Sequence, residues 1–306
     1  MSGPFAHPIN AATRYCAVFG CPIKHSASPA MQNAGMAALG LNWRYLAFEV
    51  RPEDLRAALA GAKAMQCIGL NLTVPHKLLA IDMVDVLDES AKTWGAVNTI
   101  RFEGRDAAGG WKPLHQFETG SPEKIRLQGF NTDADAILRS VREDLELELR
   151  GARVLLLGAG GAGRVAALKL ASENVAELFL VNRTPARAGS LAAEIRRRHP
   201  NVKIQLDYPR GEVDLAINAT SLGLAVNDTL PVDGKRFSLR QARSVYDMIY
   251  RPAETPLLTA AKAAGCHTAN GIGMLLYQGA KALEIWSGKP APVELMRQAL
   301  EKNVYG

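Results

Sequence analysis

The apolar run RVLLL at 153–157 gives way to Gly158-Ala159-Gly160-Gly161-Ala162-Gly163 and then to the helical pattern AGRVAALKLASE. Glycines spaced G-x-G-x-x-G mean little alone. Between a strand and a helix they are the arrangement that cradles a pyrophosphate. Gly158 permits the tight turn, Gly160 lets the backbone approach phosphate, and Gly163 lets helix and strand pack closely. Gly161 and Ala162 open the helix, whose unpaired N–H groups suit an anion. A glycine-rich turn without ligand is the plainer alternative, and the strand-loop-helix context disfavours it. The following strand ends Val181-Asn182-Arg183-Thr184, with Arg187 one turn further on. A site for NAD usually carries a carboxylate there for the ribose hydroxyl. Here two guanidiniums stand instead, suited to a 2′-phosphate, so NADP is the expected dinucleotide.

Ahead of this unit, polar groups interrupt apolar runs. In His25-Ser26-Ala27-Ser28-Pro29, Pro29 suits the first helical position and Ser28 the N-cap. Two hydroxyls at a helix start would also bind a carboxylate. Thr73-Val74-Pro75-His76-Lys77 ends a strand and places a lysine just past a proline turn. Asn98 sits in the β-like run AVNTI, and Asp133 in Asn131-Thr132-Asp133 precedes the helical ADAILRSV as its expected N-cap. Each has a sufficient structural explanation by itself.

The elements that must position these groups are legible as an alternation. Strand-like YCAVFG, WRYLAFEV and IGLNLTV alternate with helix-like SPAMQNAGMAALG and PEDLRAALAGAKA, which predicts an α/β unit with a mainly parallel sheet. From Arg101 to Gly129 the pattern breaks into a Gly/Pro/charge-rich stretch, read as a long loop or elaborated hairpin outside the catalytic constellation. Alternation then resumes through ARVLLLG, ELFLVN, VDLAINAT and SVYDMIY, closing on GMLLYQGAKALEIWSG, read as a strongly amphipathic helix.

The chain's 306 residues allow two domains, and 48% apolar content excludes disorder. No run approaches the ~20 consecutive apolar residues of a membrane span. MSGPFAHPINAATRY lacks the features of a secretory signal and reads as a short leader on a cytoplasmic protein. Four scattered cysteines, Cys16, Cys21, Cys67 and Cys266, suit neither disulfides nor a metal, so no metal is expected. A formal charge of +6 supports an anionic small molecule rather than nucleic acid.

Taken in order, these segments resemble the shikimate dehydrogenase family, from about Tyr15 to Pro292. The resemblance rests on Ser26/Ser28, T-V-P-x-K at 73–77, A-V-N-T at 96–99, N-T-D at 131–133 and the glycine loop with N-R-T. N-A-T-S-L-G at 218–223, Y-D-M-x-Y at 246–250 and G-x-G-M-L-x-x-Q-G at 271–279 complete it. It implies two α/β domains with a cleft between them: a substrate-binding and catalytic domain of residues 1–133 plus 271–306, and a Rossmann NADP-binding domain of 134–270. Lys77 and Asp133 match the catalytic pair. Ser26, Ser28 and Tyr250 match the residues holding a substrate carboxylate, and Thr73, Asn98, Asp133 and Gln278 those binding ring hydroxyls. Asn182, Arg183, Thr184 and Arg187 match the adenosine-phosphate clamp. Thr220, Met248, Gly271 and Met274 match positions lining the nicotinamide. The implied activity is NADP-dependent interconversion of 3-dehydroshikimate and shikimate, by a monomer or homodimer. Quinate is the alternative substrate, and a non-catalytic NADP sensor a more distant one. Phe130, Ala134 and Asn270 depart from the family pattern.

Overall fold

Apolar runs become strands and the alanine-rich segments between them helices. The computed structural model describes residues 8–117, 122–225 and 227–306, so MSGPFAH, 118–121 and 226 lie outside the described residues. By contacts the chain divides into one unit of the residues up to Asp133 with Leu276–Gly306, and another of Ala134–Leu275.

The first unit runs β1 (Arg14–Gly20), α1 (Ser28–Ala38), β2 (Trp43–Glu49), α2 (Leu55–Ala64), β3 (Gly69–Leu72) and α3 (His76–Leu79). It continues through β4 (Val86–Leu87), α4 (Glu89–Trp94), β5 (Thr99–Arg105), β6 (Trp111–Pro113) and β7 (Ile125–Phe130). The sheet order is β2-β1-β3-β5-β7-β4, with β6 paired to β5. β1 is parallel to β2 and β3, but β5 is antiparallel to both β3 and β7. The expected mainly parallel sheet is therefore mixed in this unit, because an alternating pattern carries no information on strand direction.

Of the two readings of Arg101–Gly129, the structure has the elaborated hairpin, β5 pairing antiparallel with both β6 and β7, and not the long loop. Thirteen of its residues are in β5, β6 and β7, and β5 and β7 lie inside the strand order. Glu103, only 3% exposed, takes Arg101 of its own strand at 2.5 Å and Arg126 across on β7 at 2.7 Å. Gly109, at φ +85, and Gly110 lie in the exposed turn between β5 and β6, whereas Gly104 marks a close approach. A Cβ on Gly104 would sit 2.6 Å from Pro122. Exchanging the whole stretch for a short turn would remove two internal strands.

The second unit contains α5 (Asp133–Leu145) from Ala134 onward, β8 (Arg153–Leu157), α6 (Gly161–Ser172), β9 (Glu177–Val181), α7 (Pro185–Arg198) and β10 (Lys203–Gln205). Then come β11 (Val213–Asn218), β12 (Ala242–Asp247), α8 (Pro256–Ala263) and β13 (His267–Asn270). All six strands are parallel in the order β10-β9-β8-β11-β12-β13. This is the 3-2-1-4-5-6 order of the doubly wound dinucleotide-binding sheet. Leu155, Leu157, Phe179, Val245 and Leu258 form part of its core.

The chain closes with α9 (Ile272–Ser287) and α10 (Val293–Tyr305). The expected strongly amphipathic α9 is instead buried on most sides: Leu276, Tyr277, Ala280, Ala282, Leu283 and Trp286 are at most 3% exposed. Its small residues mark close packing rather than solvent, since a Cβ on Gly279 would meet Met31 at 2.2 Å. The Trp286 indole donates to the Ile100 carbonyl at 3.0 Å and covers Gly69, where a Cβ would lie 2.1 Å from Nε1. Gly69→Ala is therefore expected to destabilise the protein by about 3 kcal/mol, the upper end for overpacking. A urea melt measures this; a loss under about 1 kcal/mol would show that the indole can swing aside.

Candidate active site

In the first unit, strand direction decides which ends meet. β1 and β3 are parallel, β5 is antiparallel to β3, and β7 is antiparallel to β5. The carboxyl ends of β1, β3 and β7 thus share one edge with the start of β5. Ser26 and Ser28 follow β1, Thr73 and Lys77 follow β3, Asn98 precedes β5, and Asp133 follows β7. Six residues scattered over more than a hundred positions therefore reach one rim. Two backbone bonds join its loops, Thr73 N–H to the Phe19 carbonyl at 3.0 Å and Cys21 N–H to the Val74 carbonyl at 3.1 Å.

Lys77 Nζ donates to Asp133 Oδ2 at 2.7 Å. The lysine side chain is 31% exposed and the aspartate 9%, so the ammonium faces outward over a nearly covered carboxylate. Asp133 is the first residue of α5, not the N-cap expected of it, and its carboxylate is turned to Lys77. The capping acceptor is Asn131, whose Oδ1 takes the Asp133 N–H at 3.1 Å while its Nδ2 donates to the Ala96 carbonyl at 3.0 Å. Thr132 is held at both its N–H and its hydroxyl by Asn98, at 2.8 and 2.9 Å. Behind this lie Thr99, Asn71 and Tyr45: Asn71 Nδ2 donates to Thr99 Oγ1 at 3.0 Å, and the Tyr45 hydroxyl donates to Asn71 Oδ1 at 2.7 Å. These supporting residues were not singled out from sequence. The available signal was the recurrence of amides and hydroxyls inside apolar strand runs, where unpaired polar groups are costly.

Asn98 is 1% exposed, and only one N–H of its Nδ2 is left unused by Thr132. Ser28 proves to be the first residue of α1, and Ala27 occupies the expected cap position. Ser26 Oγ accepts the Ser28 N–H at 3.4 Å, supplying the acceptor from two residues back. Gly20 makes room for Thr73, since a Cβ there would lie 2.4 Å from Thr73 Cγ2. Gln278 lies on α9 in the first unit, whereas Tyr250 follows β12 in the second. Of the departures from the family pattern, Phe130 is buried beneath the Arg101 guanidinium, 5.3 Å from its ring centroid. Ala134 is fully buried. Asn270 caps α9 by accepting the Ile272 N–H at 3.0 Å and also donates to the Ala253 carbonyl at 2.8 Å.

His76, beside Lys77, is fully buried, with Nε2 against the Val50 carbonyl at 2.8 Å and no partner at Nδ1. Burial pushes its pKa below the usual histidine range, and burial does the same to His115 and His199. Below about pH 6.5 the unfolded chain then binds more protons than the folded one, so stability present above that pH is lost on acidification. The thermal midpoint is expected to fall as pH drops through this window, less steeply for His76→Gln. An unchanged slope in that variant would remove His76 from the effect.

In the second unit all strands are parallel, so every βα connection emerges at one edge, where such sheets place ligands. Gly158 has φ +106, and a Cβ there would lie 2.8 Å from the Ala219 carbonyl oxygen. A Cβ on Gly163 would lie 2.2 Å from the Gly158 oxygen, whereas nothing lies within 4 Å of one on Gly160 or Gly161. The first and third glycines of the motif serve the turn and the packing, and the middle pair faces open space. Asn182 Oδ1 accepts the Ala159 N–H at 2.9 Å and its Nδ2 donates to the Thr184 carbonyl at 2.8 Å, tying the glycine loop to the turn bearing exposed Arg183. Arg187 joins Ala159, Arg164 and Ser190 around a hollow of about 320 Å³. Thr220, Met248 and Gly271 stand at the same edge, after β11, β12 and β13, and Met274 lies in the first turn of α9. The loop thus offers the cradle a dinucleotide phosphate requires. Among the described residues no cluster of three His, Cys, Asp or Glu side chains could hold a metal.

The protein resembles a shikimate dehydrogenase (NADP+) of Methanopyrus kandleri, with 38% identity over 304 residues, 97% of this chain and 98% of that protein. The chain belongs to the shikimate dehydrogenase family. The family's substrate binding domain profile matches residues 18–100, its shikimate/quinate 5-dehydrogenase profile 140–226, and its C-terminal domain profile 271–301. A crystal structure of a family member with NADP+ superposes with a TM-score of 0.83 at 33% identity, covering 99% of this chain and all of that one. The Thermus thermophilus enzyme, solved with NADP(H) and shikimate, gives a TM-score of 0.77 at 32% identity, covering 95% of this chain and 99% of that one. No helix among the described residues is long and apolar enough to cross a membrane.

Proposed function

We propose that this chain catalyses the reversible, NADP-dependent reduction of 3-dehydroshikimate to shikimate, with Lys77 and Asp133 at the reacting oxygen. The observation that carries the assignment of roles is the 2.7 Å contact between these two side chains at the rim where the first unit's functional loops meet. NADPH, when bound, supplies the hydride for the carbonyl carbon. Lys77 Nζ donates the proton that the developing alkoxide requires, as a positioned general acid. Its positive charge also stabilises that oxygen before the proton moves. Asp133 Oδ2 accepts from the same ammonium and so fixes its direction, while Asn131 and Thr132 hold Asp133. In the oxidative direction the Lys77 nitrogen that gave up its proton takes one back from the substrate hydroxyl.

Ser26 and Ser28 offer hydroxyls to the substrate carboxylate, and the family pattern assigns Tyr250 to the same group. Thr73, Gln278 and the unused N–H of Asn98 take ring hydroxyls. Gly160 and Gly161 leave room for the pyrophosphate, Arg183 and Arg187 take the 2′-phosphate, and Asn182 and Thr184 shape the turn that presents them. In this reading residues 1–133 plus 271–306 form the substrate domain and 134–270 the NADP domain. A cytoplasmic location and small-molecule partners accompany it. The matching profile names quinate beside shikimate, so quinate is the second candidate substrate. Initial rates with shikimate and quinate, each with NADP and NAD, test the proposal. The fastest pair is expected to be shikimate with NADP. Quinate with NAD as the fastest pair would overturn both the substrate and the cofactor assignment.

A further inference from the structure

Asp247, the last residue of β12, is fully buried, and no cation pairs with it among the described residues. Its carboxylate is met by three donors: Asn218 Nδ2 and the Ile249 N–H, both 3.0 Å from Oδ1, and the Thr255 hydroxyl, 2.7 Å from Oδ2. Burial without a counter-ion raises its pKa, which these donors oppose. Burying an acid is costly unless it is hydrogen-bonded, and these three donors supply the bonds.

What it faces is Asn218, also fully buried and its registered partner on β11. An ionised carboxylate only accepts hydrogen bonds, so the amide must present its NH₂ to Asp247 and its oxygen the other way. That oxygen takes the Thr220 N–H at 3.0 Å and the Thr220 hydroxyl at 2.7 Å, while Nδ2 also donates to the Leu222 carbonyl at 3.0 Å. The Thr220 hydroxyl proton is thereby spent inward, and its oxygen accepts the Leu222 N–H at 3.1 Å. The adjoining connection is tied to the same pair. The Met248 N–H donates to the Asn218 carbonyl at 3.0 Å, and the Gly271 N–H to the Ile249 carbonyl at 3.1 Å. A Cβ on Gly271 would lie 2.1 Å from the Met248 oxygen, so a shift of Met248 is passed to Gly271.

We propose that Asp247 is a positioning residue of the nicotinamide pocket: it orients the Asn218 amide, and through it sets the Thr220 turn, Met248 and Gly271. The inference rests on the reading above that these three residues face the nicotinamide. It assigns Asp247 no contact with substrate or cofactor.

The exchange of like for unlike polarity tests it. Asn218→Asp keeps the shape but loses both Nδ2 donations and sets carboxylate against carboxylate. It is expected to lower kcat about 100-fold, as a small misplacement of a reacting group does. Affinity for adenosine 2′,5′-bisphosphate, which lacks the nicotinamide half, should stay within about twofold because that clamp shares no partner with Asn218. Asp247→Asn keeps an oxygen for Asn218 and Ile249 and can donate to Thr255, so its kcat should stay within about tenfold of wild type. An inactive wild type would remove the functional reading and this inference with it. An active wild type with full kcat in Asn218→Asp, or with the bisphosphate lost in proportion to kcat, would overturn the inference alone. Should Asn218→Asp fail to fold, Thr255→Val removes the Oδ2 donor together with the α8 cap, where Thr255 Oγ1 accepts the Leu258 N–H. There a reduced kcat with intact bisphosphate binding supports the proposal, and an unchanged kcat overturns it.

Discussion

Lys77→Met lowers shikimate turnover by ~10²–10⁴, the range expected when a general acid-base group is removed. Methionine keeps the unbranched stem that packs beside the turn and removes the ammonium that contacts Asp133 at 2.7 Å. The apparent affinity for shikimate moves much less, since the Ser26/Ser28 hydroxyls, Thr73 and Gln278 remain. NADP affinity is unchanged, because the phosphate clamp lies in the Ala134–Leu275 unit. Steady-state kinetics at saturating NADP separate these quantities. Turnover near the wild-type level in Lys77→Met would leave the lysine as a half-exposed structural partner of Asp133 and end its catalytic assignment. A large rise in KM with kcat preserved would make Lys77 a binding residue instead.

Arg183→Ala weakens NADP binding by about 1.5–3 kcal/mol, the worth of a hydrogen bond to a charged group. That corresponds to roughly a 10- to 150-fold rise in Kd. The effect is specific because Arg183 is exposed, while Asn182 alone ties its turn to the Ala159 N–H and the Thr184 carbonyl. Removing the guanidinium leaves that scaffold in place. NAD, which has no 2′-phosphate, should bind the variant as it binds the wild type. Titration of both dinucleotides into both proteins decides the point. Equal weakening of the two would show that Arg183 supports the glycine loop rather than reading the phosphate.

Local chemistry was legible where a side chain's meaning depends only on its chain neighbours. The glycine spacing after RVLLL specified a turn, an open approach and a close packing contact. The structure puts Gly158 at φ +106, leaves open space at Gly160 and Gly161, and presses Gly163 against Gly158. The Asn182-Arg183-Thr184 turn was readable for the same reason. Errors of a single position, as at Ser28 and Asp133, arose because a cap is decided by which oxygen reaches the first free N–H. At α1 that was Ser26, and at α5 it was Asn131.

Lys77 and Asp133 were marked only by the family resemblance, whereas the sequence by itself determined the alternating α/β character, the dinucleotide loop and the arginines suited to a 2′-phosphate. These follow from periodicity and from residue type at fixed short spacing. Only the tertiary structure decided that β5 runs against β3, that β5 and β7 lie inside the sheet, and that α9 is buried on most sides. It alone brought Lys77 within 2.7 Å of Asp133 and faced Asp247 toward Asn218. Strand direction and cross-strand register come from the packing of distant segments and leave no local trace in residue order. A contact between residues 56 positions apart is therefore a property of the fold, even though each partner can be picked out from the sequence.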